Sequence, residues 1–197
     1  MSRKIFDENL DLKGRNYFTT LFQAISNKQV LSIIYKNFKH EVEKSYIIHP
    51  YYLKQYNGRW FLVAFSQNVG KLSIFAFDRI KSIQNVHADF IQNTEYDFRE
   101  YFDDMIGVTK PDSSTLEIVK IRVSNNRWPY IETKPLHGSQ RVILKNEEGV
   151  IIQIQVYLNK ELEQLIMSYG ADLEVLEPSS LRNSIIENLE NSYCNYK

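Results

Sequence analysis

Short apolar runs separated by turn-forming residues dominate the first half of this chain. Three of these runs have the length of a β-strand: Tyr46–Ile48, Trp60–Phe65 and Ile74–Phe77. The dipeptide Asn57-Gly58 predicts a tight hairpin, because a type I′ turn requires positive φ at both central residues. Further turns are predicted at His49-Pro50 and at residues 68–70. The pattern indicates a small antiparallel β unit.

One helix and two more strands complete this unit. Apolar residues at i, i+3, i+4 and i+7 predict a short amphipathic helix; they are Phe18, Leu21, Phe22 and Ile25. Val30–Tyr35 and Ser82–His87 are the additional strands. Trp60–Phe65 is apolar at every position, so we expect a central strand with the helix as a cover. A helix followed by five strands that close on themselves predicts an Sm-like or SH3-like β-barrel.

The second half alternates between strand and helix patterns. In chain order these are a strand around Val119–Val123, a helix at Trp128–Thr133, a hairpin of Arg141–Lys145 and Val150–Leu158, a helix capped by Asn159, a strand at Leu173–Leu176 and a helix opened by Pro178. The last helix carries Leu181, Ile185 and Leu189. The order β-α-β-β-α-β plus a terminal helix predicts a ferredoxin-like domain, so the fold class is α+β.

Charge is distributed unevenly along the chain, although the net charge is zero. Residues 30–88 contain eight Lys and Arg against three Asp and Glu, whereas residues 89–117 contain two against eight. A basic module beside an acidic connector suggests an anionic ligand. We therefore divide the chain into a lead-in at 1–16, a barrel at 17–88, an acidic linker at 89–115 and a C-terminal domain at 116–197.

The sequence lacks the signatures of an enzyme. Its four histidines do not have metal-ligand spacing, and one cysteine, Cys194, cannot build a zinc site or a disulfide framework. No nucleophile elbow, Walker loop or dinucleotide fingerprint occurs. We expect a cytoplasmic protein without catalytic residues, metal or cofactor. No run approaches the roughly 20 apolar residues that span a membrane.

Several motifs in the first half resemble the WYL domain. Trp60-Phe61-Leu62 matches the tripeptide that names the family, and Phe77-Asp78-Arg79-Ile80 follows it in the expected order. Ile33-Ile34-Tyr35 and the strand beginning at Pro50 match the upstream pattern. The part after about Leu116 is similar to the C-terminal extension of WYL proteins, mainly through 137–140, 176–178 and 181–182. The resemblance implies the same barrel fold.

The resemblance and the chemistry of the side chains together suggest a ligand site at the barrel rim. The expected ligand-binding residues are Arg79, Arg59, His49, Tyr51, Tyr35 and Asp78. Arg79 offers a planar fork of donors suited to phosphate oxygens, and tyrosines beside cations suit base stacking. Many WYL domains carry additional arginines where this chain has Ser73 and Ala76, which leaves room for a smaller, less charged effector.

Two functions remain open at this point. The first is the ligand-sensing and dimerising part of a bacterial WYL-type transcriptional regulator that binds an anionic small molecule or single-stranded nucleic acid. Such a protein would contact duplex DNA only through a helix-turn-helix domain, and none fits before the first helix here. The alternative is a stand-alone accessory protein or enzyme regulator that uses the barrel to bind a nucleotide or a partner protein. Coding sequence upstream of Met1 would distinguish them. We expect a homodimer.

Overall fold

The computed structural model describes residues 14–38, 42–112 and 114–197. The chain forms two compact units, Met1–Tyr96 and Asp97–Lys197, which are described separately below. Most of the predicted lead-in, residues 1–13, lies outside the described residues. Mixed helices and antiparallel sheets confirm the α+β class.

The first unit consists of a helix and a five-stranded antiparallel sheet. Its elements are helix α1 (Phe18–Ser26) and strands β1 (Val30–Lys36), β2 (Glu43–Tyr56), β3 (Arg59–Ser66), β4 (Lys71–Ala76) and β5 (Ile80–Val86). The strand order is β4-β3-β2-β1-β5. A short 3-10 turn, Phe77–Arg79, joins β4 to β5.

Strand β2 runs through the position where a turn was predicted. It pairs with β1 through its first half and with β3 from Ile48 onward, so His49 and Pro50 lie within one long strand. The register shifts between Pro50 and Tyr52, which marks a β-bulge. A bulge accommodates a proline, which has no N–H for the ladder, and bends the strand. The predicted turn at His49-Pro50 is therefore wrong.

The turn at Asn57-Gly58 confirms its prediction. Asn57 has φ 46° and Gly58 has φ 74°, the positive values that a type I′ turn needs at both central positions. Arg59 consequently begins β3 directly after the turn, opposite Tyr56.

The sheet is open, and the prediction of a closed barrel is wrong in this respect. Within the described residues no strand ladder joins β4 to β5. The sheet curls until the end of β4 reaches β1, where the backbone N–H of Ala76 donates to the Tyr35 hydroxyl at 3.3 Å. The Tyr35 hydroxyl thus accepts a hydrogen bond from the edge strand β4, and in the described residues β4 and β5 do not pair with each other.

The core of the first unit lies between α1 and the concave face of the sheet. Leu21 and Ala24 of α1 are buried against strand residues that include Ile33, Ile48 and Leu62. Phe18 packs edge-on against Trp60, with ring centroids 4.8 Å apart. The helix is therefore the cover that the sequence pattern predicted.

The second unit is a four-stranded antiparallel sheet with three helices. In chain order the elements are β6 (Leu116–Val123), α2 (Trp128–Thr133), β7 (Arg141–Asn146), β8 (Gly149–Tyr157), α3 (Lys160–Met167), β9 (Leu173–Glu177) and α4 (Ser179–Cys194). This is the predicted order of strands and helices. The sheet order is β7-β8-β6-β9, so β7 is an edge strand. Leu181 and Ile185 of α4 are buried, whereas Leu189 is exposed.

Part of the predicted linker packs into the second unit. Phe102, Met105, Ile106 and Val108 are all buried. The side chain of Asn159 ties this segment to α3: Nδ2 donates to the carbonyls of Ile106 (2.8 Å) and Thr109 (2.9 Å). Its Oδ1 accepts from the Leu162 amide at 2.8 Å and caps the helix, as predicted. The acidic segment therefore contributes to a hydrophobic core.

None of the helices in the described part of the chain is both long and apolar enough to cross a membrane.

Candidate functional site

The structure divides the six predicted site residues into two groups. Tyr35, Arg59, Asp78 and Arg79 lie around the turn that joins β4 to β5. His49 and Tyr51 lie further along β2. Tyr35 of β1 pairs with Lys44 of β2. His49 lies five residues after Lys44, about 16 Å along β2 at ~3.3 Å per residue.

Arg79 lies in the 3-10 turn Phe77–Arg79. Its guanidinium carbon is 4.4 Å from the ring centroid of Phe38, a cation–π distance. The Nε atom is buried and has no hydrogen-bond partner among the described residues. Phe38 itself is 69% exposed. Arg79 thus holds a charged donor that its described neighbours leave unused.

Asp78 and Arg59 lie beside it as a loose ion pair. Arg59 Nη1 is 3.9 Å from Asp78 Oδ2, at the limit of a salt bridge. The other carboxylate oxygen, Oδ1, is buried without a hydrogen-bond partner in the described part of the chain. Arg59 is more than half exposed, so this pair stabilises the fold little. Arg59 can therefore turn toward an incoming anion at small cost.

Tyr35 connects the turn to the sheet. Its ring is buried, and its hydroxyl accepts from Ala76. Burial raises the pKa of Tyr35, while the hydrogen bond from Ala76 and the nearby Arg79 guanidinium oppose that shift. The hydroxyl is neutral at physiological pH and keeps its proton to donate.

His49 and Tyr51 bind the segment that follows β5. Nδ1 of the fully buried His49 accepts from the Ile91 amide at 3.0 Å, and the Tyr51 hydroxyl donates to the Ile91 carbonyl at 2.8 Å. Nε2 of His49 lies 2.9 Å from the Gln67 side-chain amide. Because Nδ1 accepts, the ring proton belongs on Nε2, and the Gln67 amide, whose nitrogen faces this atom, must be turned so that its oxygen accepts the hydrogen bond. Burial lowers the pKa of His49.

A cavity of about 220 Å³ opens at the end of the β1–β2 ladder. It is lined by Tyr35, Asn37, Val42, Lys44 and Tyr46. Only Tyr35 was expected from the sequence. The missed signal is the period of two: Lys44 and Tyr46 share a strand face with the buried Ile48, so both point to the concave side. Phe38 was missed because an exposed aromatic residue outside a strand carries no pattern.

No group of three or more potential metal ligands occurs among the residues that the structure describes.

The family models match both halves of the chain. The WYL domain matches residues 16–85 and the WCX domain matches residues 115–192, together well over half of the sequence. The chain is a WYL-domain protein. Its WYL tripeptide lies on β3, where Leu62 is fully buried and Trp60 packs on Phe18. Phe77-Asp78-Arg79-Ile80 forms the turn that carries the candidate site.

Two solved structures are similar to this chain at low sequence identity. "Proteasome accessory factor B/C (PafBC) of Arthrobacter aurescens" is 16% identical with a TM-score of 0.43; the match covers 91% of this chain and 27% of that one. "Crystal structure of a CRISPR Cas-related protein" is 15% identical with a TM-score of 0.52, covering 90% of this chain and 50% of that one. This WYL protein thus spans half or less of the length of each. Comparison with curated proteins gives no match.

Proposed function

We propose that this chain is the ligand-sensing and dimerising part of a WYL-type transcriptional regulator. It binds an anionic nucleotide-like or nucleic-acid ligand at the turn formed by Phe77–Arg79. The observation that carries the proposal is the buried Nε of Arg79, which has no hydrogen-bond partner among the described residues. Leaving a buried donor unpaired costs about 1–3 kcal/mol, and an anionic oxygen would remove that cost.

The neighbours of Arg79 suit an anion. Arg59 supplies a second cation that is held only loosely by Asp78. The ring of Phe38 lies against the Arg79 guanidinium, and an aromatic ring beside a guanidinium group suits the stacking of a base. The proposed assignment places ligand contacts on Tyr35, Arg59, Asp78 and Arg79, with His49 and Tyr51 of β2 as more distant contacts.

The proposal extends to the architecture and setting of the protein. We regard the open five-stranded sheet as a variant of the Sm/SH3-like barrel and the second unit as ferredoxin-like. The protein has no catalytic role and works in the cytoplasm of a bacterium. Duplex DNA is contacted through a helix-turn-helix domain that is not part of this sequence.

Binding to labelled single-stranded DNA of about 12 nucleotides, followed by fluorescence anisotropy, tests the site. AMP is titrated in parallel by calorimetry. Arg79→Ala should weaken the affinity at least tenfold, because a charge-assisted contact contributes about 1.5–3 kcal/mol. Arg59→Ala should have a smaller effect. The matched control is Arg141→Ala, an exposed arginine of the second unit, which should leave binding unchanged.

Two results would overturn the proposal. Unchanged affinity in a folded Arg79→Ala variant removes the ligand from this turn. Tight, sequence-selective binding of duplex DNA by the chain itself contradicts a purely sensory role.

A further inference from the structure

The concave face of the sheet becomes steadily more polar toward the cavity. Along β1 the inward residues run from Ile33 through Tyr35 to Asn37 beyond the strand end. Along β2 they run outward from Ile48 through Tyr46 to Lys44. Tyr35 and Lys44 are direct partners in the ladder, so they flank the same opening. The apolar core thus continues into a cavity with a cationic mouth.

The cavity is small enough to limit its ligand. A protein cavity of about 150 Å³ can hold benzene. A volume of about 220 Å³ therefore accommodates one ring with a substituent the size of a carboxylate. It lies below the roughly 300 Å³ at which pockets for larger ligands begin. A complete nucleotide does not fit inside it.

Two of the lining residues, Tyr35 and Tyr46, are aromatic, and both contact Phe75 of the buried core. Tyr35, Tyr46 and Phe75 contact one another edge to face, with ring centroids 5.2, 5.4 and 6.3 Å apart. A planar ring entering from the mouth would extend this cluster in the geometry that aromatic pairs prefer.

The charge around the cavity suits a single anionic group. Lys44 contributes one positive charge at the mouth. No other cation occurs among the described residues that line the cavity. A polyphosphate would need more than one cation to offset its desolvation.

We propose that the cavity binds a small planar aromatic monoanion: a single ring that packs against Tyr46 and Tyr35, with its anionic group on Lys44. This inference rests on the proposed sensing function and adds to it a second, smaller effector that binds beside the Arg79 turn. Binding there contacts Tyr35, whose hydroxyl holds the end of β4 just before the turn that carries Arg79. An effector in the cavity is thereby connected to the proposed anion site.

Titration of the full chain with benzoate, followed by 1H–15N NMR, tests the inference. We expect saturable shifts centred on Tyr35, Lys44 and Tyr46, with a Kd of about 1 mM or tighter for so few atoms. Benzamide lacks the charge and cyclohexanecarboxylate lacks the planar ring; each should bind at least several-fold more weakly. Scattered shifts without saturation would overturn the inference.

Variants separate the cavity from general electrostatic attraction. Lys44→Gln should weaken benzoate binding about tenfold, and Tyr46→Leu should weaken it while keeping apolar volume. Lys36→Gln is the matched control, because Lys36 lies on β1 with its side chain on the opposite face from Tyr35. Equal loss in Lys36→Gln and Lys44→Gln would mean that benzoate responds only to overall charge.

The two proposals fail in different ways. If single-stranded DNA binds in an Arg79-dependent manner and benzoate does not bind, the cavity inference is wrong and the proposed function stands. If benzoate binds through Lys44 but neither DNA nor AMP depends on Arg79, the cavity is a site and the Arg79 assignment is wrong. If no probe binds, both are wrong.

Discussion

The backbone amide of Ile91 donates a 3.0 Å hydrogen bond to Nδ1 of the fully buried His49. Tyr51 reinforces the link through the Ile91 carbonyl, and Phe90 packs edge-on against both rings. Two residues that were expected at a ligand site thus fasten the segment after β5 to the bulged part of β2. The acceptor at Nδ1 exists only while the ring is neutral.

This link should weaken in mild acid. Burial lowers the pKa of His49 in the folded chain below its unfolded value of about 6.5, so the unfolded state binds more protons in this range. The contribution of His49 to stability is complete above about pH 6.5 and is lost as the pH falls toward the folded-state pKa. Hydrogen exchange should show the Ile91 amide protected at about pH 7.5 and less protected at about pH 5.5.

Other titrating groups must be separated from this effect. His87 and Asp89 lie on the same segment. The pKa of Tyr51 is raised, mainly by burial and to a smaller extent by the charge of Glu95. His87→Gln should leave the pH dependence of Ile91 exchange unchanged, because His87 is exposed. His49→Gln should remove it. Equal protection of Ile91 at both pH values, after correction for intrinsic exchange, would rule out this role for His49.

Asn159→Ala should destabilise the second unit by about 2–4 kcal/mol, because it removes a helix cap and leaves two carbonyls without their donor. Urea denaturation measures the change. Asn125→Ala is the matched control: its amide also donates to two carbonyls, of Asn146 and Glu147, but it is exposed and should cost less than about 1 kcal/mol. Similar losses in the two variants would mean that burial of Asn159 contributes nothing.

Gly14→Ala should disturb the turn that carries Arg79. A Cβ at Gly14 would lie 2.4 Å from the backbone carbonyl of Phe77, and the φ of 88° disfavours any other residue. We expect a loss of about 1–3 kcal/mol in stability and weaker binding of the single-stranded DNA probe. Gly138→Ala meets nothing within 4 Å and should be close to neutral. Unaltered binding in a folded Gly14→Ala variant would show that the turn tolerates displacement.

Local patterns predicted most elements of the fold. Asn57-Gly58 specifies its turn through backbone conformation alone, and Asn159 caps α3 through its own side chain. The course of β2 could not be predicted in this way, because a bulge beside Pro50 depends on the register of two neighbouring strands. The open sheet edge could not be predicted from local patterns either, because the Tyr35 hydroxyl binds Ala76 of β4, which is 41 residues away in the sequence.

The candidate site was predictable only where a motif named its residues. Arg79 and Asp78 were found through the turn motif, and their proximity to Arg59 follows from the β3–β4 ladder. His49 has no sequence feature that distinguishes a buried acceptor from a ligand contact. The cavity depends on how far β1 and β2 extend beyond the core, which no local pattern specifies.

Edge strand β7 should mediate homodimerisation. Val142, Ile143 and Leu144 are 45%, 52% and 46% exposed, an unusual apolar run for an unpaired edge, and pairing with a second chain would cover it. Light scattering at micromolar concentration should give twice the chain mass of 23.3 kDa. Ile143→Glu should yield a folded monomer, because a charge would lose its solvation in the interface. Val69→Glu, at an exposed turn of the first unit, should remain dimeric. A monomeric parent chain excludes the dimer, and a dimer that survives Ile143→Glu excludes β7 as its interface.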